Sequence, residues 1–223
     1  MKEIHTDPEP KVRQGHRGEI EVYGNMNRIA VLVSGGGTNL QSLIDARNAD
    51  KLGGGELSLV ISSVAGAYAL KRAKSAGIKT VIIERKAYND ISGFDLAISE
   101  ALINENIDLV VLAGFLSVLG PVVLKNYENK IINVHPALIP SFCGKGFYGL
   151  HVHKAALEYG VKITGATVHF VNEVVDGGKI ILQKAIDILA EDTAETLQQR
   201  VMKECEWVIL PKAVAMFCKG EIK

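Results

Sequence analysis

Apolar residues run almost unbroken through "RIAVLVS" (28–34) and stop at three glycines. A run without polar alternation predicts a strand covered on both faces. The next segment, "LQSLIDARNA", carries Leu40, Leu43 and Ile44 at helical spacing. The same exchange of periods repeats along the first half. It predicts strands at "ELSLVISS" (56–63), "KTVIIE" (79–84), "DLVVLAG" (108–114) and "KIINVH" (130–135), with helices over 66–76, 93–106 and 118–127. In the 93–106 segment Phe94, Ile98, Ala101 and Leu102 share one side. Alternating strands and helices imply an α/β fold: an open, mostly parallel twisted sheet with helices on both faces.

The pattern changes after Pro140. "SFCGKGFYGLH" (141–151) is a loop rich in glycine and aromatics, followed by a helix over 152–160. Two further strands, "TGATVHFVNE" (164–173) and "KIILQKAIDI" (179–188), are joined through Asp-Gly-Gly. That junction predicts an antiparallel hairpin toward one edge of the sheet. Asp192 and Glu195 have capping-box spacing. Leu197, Val201, Cys205, Val208 and Ile209 then form an apolar helical face, with Pro211 as an interruption. Residues 1–25 show neither period and read as a flexible leader or remnant, leaving 26–223 as one domain.

Composition narrows the function classes. The chain has 223 residues, with 25 basic and 25 acidic side chains and no net charge. A neutral balance gives no electrostatic footprint for nucleic acid or an anionic membrane, so a phosphate would be gripped locally. No apolar run is long enough to span a bilayer. Cys143, Cys205 and Cys218 are three in number and form no CxxC pair. Neither a disulfide framework nor a zinc site is indicated, and a reducing, cytoplasmic setting fits.

Ligands of open parallel sheets bind beyond the carboxyl ends of the strands. Three segments fall there: "SGGGTN", "GFLSVLG" and "NVHP". In the first, consecutive glycines allow backbone N–H groups to approach an anion at a helix start, with Thr38 and Asn39 as added donors. It has neither the GK[ST] of a triphosphate loop nor GxGxxG spacing, and a tight strand–helix turn would use glycine equally well. In "NVHP", Asn133 and His135 lie two apart on a strand and face one side, a donor pair suited to an oxyanion. A charged imidazole would need a carboxylate nearby. Asp176 in "VVDGG" is available, although an Asp-Gly turn explains it as well. "HVH" (151–153) lacks a third metal ligand and reads as a helix start with at most one substrate contact. His169, between apolar neighbours, reads as packed or hydrogen-bonded, Cys143 as a solvated loop thiol, and Trp207 as packing.

Together these segments resemble the phosphoribosylglycinamide formyltransferases, the folate-dependent glycinamide ribonucleotide transformylases of purine synthesis. The resemblance runs from Met26 to about residue 220 and rests on "RIAVLVSGGGTNLQSLI", "VVLAGFLSVLGP", "INVHPALIPSFCGKGFYGLHVHKAAL" and "TGATVHFVNEVVDGGKIILQ". It implies formyl transfer from 10-formyltetrahydrofolate to the amine of 5-phosphoribosylglycinamide, without a metal, by a monomer or homodimer. Its catalytic residues fall on Asn133, His135 and Asp176. Asn133 and a protonated His135 would stabilise the oxyanion, and Asp176 would hold the histidine charge. Its ribonucleotide site falls on Gly37, Thr38, Asn39 and Glu206, the last by way of one inserted residue between Arg200 and Pro211. Its folate pocket falls on Leu116, Ser117, Val118 and Leu119, on Asn133, and on Asn172, Glu173, Val174, Val175 and Asp176. Ser117 and Ile91 stand where some members carry arginines.

Relatives of that family provide the rivals. A formyltetrahydrofolate hydrolase is the alternative reading, although an additional N-terminal regulatory domain would not fit in 25 residues. A methionyl-tRNA formyltransferase would add a C-terminal domain and a tRNA ligand, which neutral charge disfavours. A non-catalytic phosphate-binding module is opposed by the intact trio.

Overall fold

The computed structural model describes residues 11–14, 20–23 and 26–222. Within the expected leader, β1 (Lys11–Gln14) and β2 (Ile20–Tyr23) pair antiparallel, with Val12 opposite Val22. This departs from the reading of that stretch as irregular. "IEVY" does alternate apolar and polar at period two, a pattern too short to stand out among prolines and glycines.

The main sheet follows. Its elements in chain order are β3 (Arg28–Val33), α1 (Thr38–Asn48), β4 (Glu56–Ser62), α2 (Tyr68–Ser75), β5 (Lys79–Ile82), α3 (Ile91–Asn104), β6 (Leu109–Leu112), α4 (Pro121–Asn126) and β7 (Ile131–His135). Then come α5 (Leu150–Tyr159), β8 (Ile163–Phe170), β9 (Ile180–Asp187), α6 (Ala194–Val201) and α7 (Trp207–Cys218). Seven strands pair in the order β5-β4-β3-β6-β7-β8-β9. The first five are parallel, and β8 and β9 add antiparallel at one edge. The fold class expected from the sequence is the one observed.

Strand alternation supplies both cores. Ile29, Val31 and Val33 of β3 face a cluster with Leu40 and Leu43 of α1 and Leu210 and Val214 of α7. Ala30 and Leu32 face the opposite cluster, with Phe94, Ile98 and Leu102 of α3 and Val123 of α4. A strand buried on both sides must be apolar throughout, which is why "RIAVLV" lacks a polar beat. Each fully buried Leu, Ile or Phe contributes about 1.5–3 kcal/mol.

Several boundaries differ from the sequence reading, each for a local reason. The helix expected from 118 starts at Pro121, because the buried carboxylate of Asp95 caps it from α3. Asp95 accepts from the backbone N–H groups of Gly120 and Val122, each at 2.8 Å. Leu116–Leu119 is thereby left as extended wall. The capping box uses Thr193 and Thr196, not Asp192 and Glu195. Asp192 is instead taken by Arg200 and by the Leu189 N–H. Pro211 does not interrupt the last helix but lies inside α7, where it is buried. Upstream, Met202–Glu206 forms a π-helical turn, which holds one residue more than an α turn. The strand predicted to reach 173 ends at Phe170, so residues 171–179 form a longer connection than a two-residue hairpin turn.

Candidate active site

The chain runs outward from β3 through β4 to β5, then returns to build β6 and β7 on the other side of β3. This reversal opens a crevice at the carboxyl ends of β3 and β6, the place where such sheets bind ligands. Ser34 ties its two lips: the Ser34 N–H donates to Gly114 O at 3.1 Å, and the Leu116 N–H donates to Ser34 Oγ at 2.9 Å. The crevice holds a cavity of about 660 Å3. Every residue assigned to a site from the sequence lines it: Gly37, Thr38, Asn39 and Glu206, Leu116–Leu119, Asn133 and His135, and Asn172–Asp176. A second groove of about 770 Å3 between α1 and α7 shares only Thr38 with that set.

At one end, Gly37 caps α1 with φ 72°. An added Cβ there would lie 2.6 Å from Ala69 Cβ, so glycine meets both a backbone and a packing demand. Asn39 and Glu206 lie 167 residues apart in sequence, yet Asn39 Nδ2 donates to Glu206 Oε2 at 2.6 Å. Glu206 is carried on the π-helical turn and is almost wholly buried. Burial pushes its carboxyl up to about 7, against the opposing hydrogen bond from Asn39. At the other end the walls are apolar and open. Leu116, Val118, Val174 and Val175 are all exposed.

Between these ends lie the polar residues of β7, β8 and the connection after β8. Antiparallel register sets Asn133 opposite His169 and His135 opposite Thr167. Asp176, held at φ 56°, turns its carboxylate back to this row. Its Oδ2 lies 3.5 Å from His135 Nδ1 and accepts from the Gly144 N–H at 2.8 Å. Its Oδ1 lies 3.5 Å from Asn133 Nδ2 and 3.6 Å from His169 Nε2. Burial alone would raise the Asp176 pKa; His169, His135 and the Gly144 N–H together bring it below the usual carboxylate value. Asp176 is therefore ionised at neutral pH.

His169 is the residue the sequence reading missed as part of this cluster. Its Nδ1 donates to Phe170 O at 2.7 Å, and its Nε2 lies 3.1 Å from Asn133 Nδ2. The ring thereby borders the Asn133 carboxamide. The available signal was the pairing of β7 with β8, which alternation within either strand does not contain. Thr167 holds the backbone that follows β7: its Oγ1 donates to Ala137 O at 2.7 Å and accepts from the Ile139 N–H at 3.1 Å.

His135 departs from the expectation of a ring held charged at rest. Its Nε2 donates to Phe142 O at 2.8 Å while Nδ1 faces Asp176. Both oxygens favour the charged ring, but burial outweighs them and its pKa lies below the ordinary histidine value. Cys143 donates to Pro140 O, and burial and Asp176 push its thiol up, away from thiolate chemistry. Among the described residues no cluster of His, Cys, Asp or Glu could hold a metal ion. In the same set no helix is long and apolar enough to cross a membrane.

Known proteins resemble the chain in sequence and in fold. Residues 27–214 match the family model described as formyl transferase. The phosphoribosylglycinamide formyltransferase of Haemophilus influenzae is 40% identical over 198 residues, covering 89% of this chain and 90% of that protein. The trifunctional purine biosynthetic protein adenosine-3 of Gallus gallus is 41% identical over 203 residues, and there the chain spans 20% of the longer protein. Glycinamide ribonucleotide transformylase 1 from Symbiobacterium toebii superposes with a TM-score of 0.84 at 40% identity, covering 92% of this chain and 94% of that one.

Proposed function

The chain belongs to the formyl transferase family, and from that premise we infer that it is a phosphoribosylglycinamide formyltransferase acting in purine biosynthesis. It transfers the formyl group of 10-formyltetrahydrofolate to the amine of 5-phosphoribosylglycinamide. The observation that carries this reading is the Asp176 carboxylate within 3.5 Å of both Asn133 Nδ2 and His135 Nδ1. That cluster stands between an anion-ready glycine turn and the apolar walls of Leu116, Val118, Val174 and Val175.

The ribonucleotide phosphate sits on the N–H groups of Gly37–Asn39, where the α1 dipole adds a favourable field. Glu206 and Asn39 accept and donate hydrogen bonds to the rest of that substrate. The amine attacks the formyl carbon, a C–N bond forms, and the carbonyl oxygen becomes an oxyanion. Asn133 Nδ2 exchanges its long Asp176 contact for this oxygen, and His135 Nε2 exchanges Phe142 O for it. The growing negative charge favours uptake of a proton from solvent at Nδ1, where Asp176 supports it, and that proton returns to solvent when the oxyanion collapses. His135 thus gains its full stabilising effect as the transition state is reached, which is where such an effect accelerates a reaction. The intermediate collapses by breaking the bond from carbon to N10, and the proton lost by the amine ends on N10. Each oxyanion donor is worth roughly 3–4 kcal/mol of barrier.

The deciding assay is tetrahydrofolate release from 10-formyltetrahydrofolate, with and without the ribonucleotide. Turnover that requires the ribonucleotide is expected, and release at the same rate without it would instead indicate hydrolysis. Asn133→Ala and His135→Ala are expected to lose at least a hundred-fold in kcat while folate affinity stays within a few-fold.

A further inference from the structure

His153 is a buried titratable residue that the mechanism above does not use. It lies on α5 between the buried residues Val152 and Ala156, and the residue is fully buried. Neither ring nitrogen has a hydrogen-bond partner in the protein. The residue borders the catalytic cavity at the Gly144–Gly149 loop, near His135, with both ring nitrogens shielded just behind the cavity wall. Burial, reinforced by nearby His135, lowers its pKa to about 4, so it is neutral at physiological pH. A neutral imidazole carries one donor and one acceptor. Burying both unpaired is costly, and an apolar side chain of similar volume would serve the packing of α5 better. Stability therefore gives no reason for histidine at this position, whereas the cavity it borders does.

We propose that His153 is a further substrate-binding residue, whose imidazole hydrogen-bonds an uncharged N–H or O–H group of a bound substrate next to His135. The inference rests on the formyl-transfer reading. Both substrates carry such groups: the glycinamide amide and ribose hydroxyls on one side, the reduced pteridine on the other.

The test uses the full chain with His153→Leu and His153→Asn. Melting temperatures are measured without ligand, and KM is measured for each substrate. His153→Leu is expected to melt at or above the wild-type temperature while KM for one substrate rises at least ten-fold. The substrate affected identifies the group bound. His153→Asn, which still donates and accepts, is expected to recover part of that loss. A variant as stable as wild type with both KM values within two-fold would overturn the proposal. So would a lowered melting temperature in both variants, which would make the ring a fold residue. Wild-type protein in the same assay separates the two readings: no ribonucleotide-dependent turnover sinks formyl transfer, whereas normal turnover with unchanged His153→Leu kinetics sinks only this role.

Discussion

Glu206 shows how one side chain's place in the site is set against stability. Its carboxyl is buried with a single donor, Asn39 Nδ2 at 2.6 Å, and its pKa rises to about 7 from an ordinary value of 4.5. The folded protein therefore holds a proton on Glu206 that the unfolded chain has already lost between those two values. Stability falls as pH rises from about 4.5 to about 7 and is level beyond, by on the order of 3 kcal/mol from this group. Glu206→Gln keeps an oxygen for Asn39 and removes the titration. It is expected to melt higher than wild type at pH 8 and to match it near pH 4, while KM for the ribonucleotide rises. Equal melting temperatures at pH 8 would mean that the carboxylate is solvated as readily as in the unfolded chain. The sequence reading assigned Glu206 and the Asn133–His135 pair to one site, and all three side chains border the same cavity. The partnership of Glu206 with Asn39 was not legible in the sequence, because it depends on α1 packing against the last helices.

At the level of elements, the turn from β3 into α1 was legible as a glycine-dependent feature, but its two possible causes could not be separated there. The structure gives Gly37 a positive φ of 72° and a neighbour, Ala69, at 2.6 Å from any added Cβ. Gly35 and Gly36, by contrast, would meet nothing within 4 Å. Gly37→Ala is expected to lower the melting temperature, since α2 and the glycine turn must separate, and, on the proposed phosphate role of that turn, to raise KM for the ribonucleotide. Gly54 provides the control, with φ 82° and open space around it. Gly54→Ala should cost about 1 kcal/mol or a little more from backbone strain alone and leave both KM values unchanged. Identical KM values in Gly37→Ala and wild type would remove the turn from the site. Between Arg200 and Pro211, where the resemblance implies one extra residue, Met202–Glu206 forms a π-helical turn. A helical period of 3.6 has no symbol for it, so the apolar face read across residues 197–209 looked continuous. The misplaced capping box has a similar origin: Thr193 and Asp192 are both good caps, and the claims of Arg200 and the Leu189 N–H on Asp192 decide between them.

For the whole molecule, the parallel sheet was legible because both of its faces are buried, which leaves unbroken apolar runs in the sequence. Strand order was not, and with it went the crevice between β3 and β6 and the approach of His169 and His153 to the trio. The same order defines how much of the chain the activity needs. β1 and β2 pair with each other, and the seven-stranded sheet starts with β3. Asn27 already belongs to that sheet's domain: its Nδ2 donates to Cys218 O at 3.1 Å, and its carbonyl accepts from Glu56 N at 2.9 Å. Arg28 follows, with its N–H on Asp108 at 2.8 Å and its guanidinium on Glu105 O at 2.7 Å. A chain beginning at Met26 keeps each of these contacts and the whole cavity lining. It is expected to melt within about 2 °C of the full chain and to keep kcat/KM within two-fold. A chain beginning at Ala30 loses the Asn27 tie to α7 and the Arg28 contacts at the base of β3 and β6. Removing these part-buried and exposed bonds, together with the fully buried Ile29, is expected to lower its melting temperature by several degrees or more. A drop of that size in the Met26 chain would instead place part of the folding unit within residues 1–25.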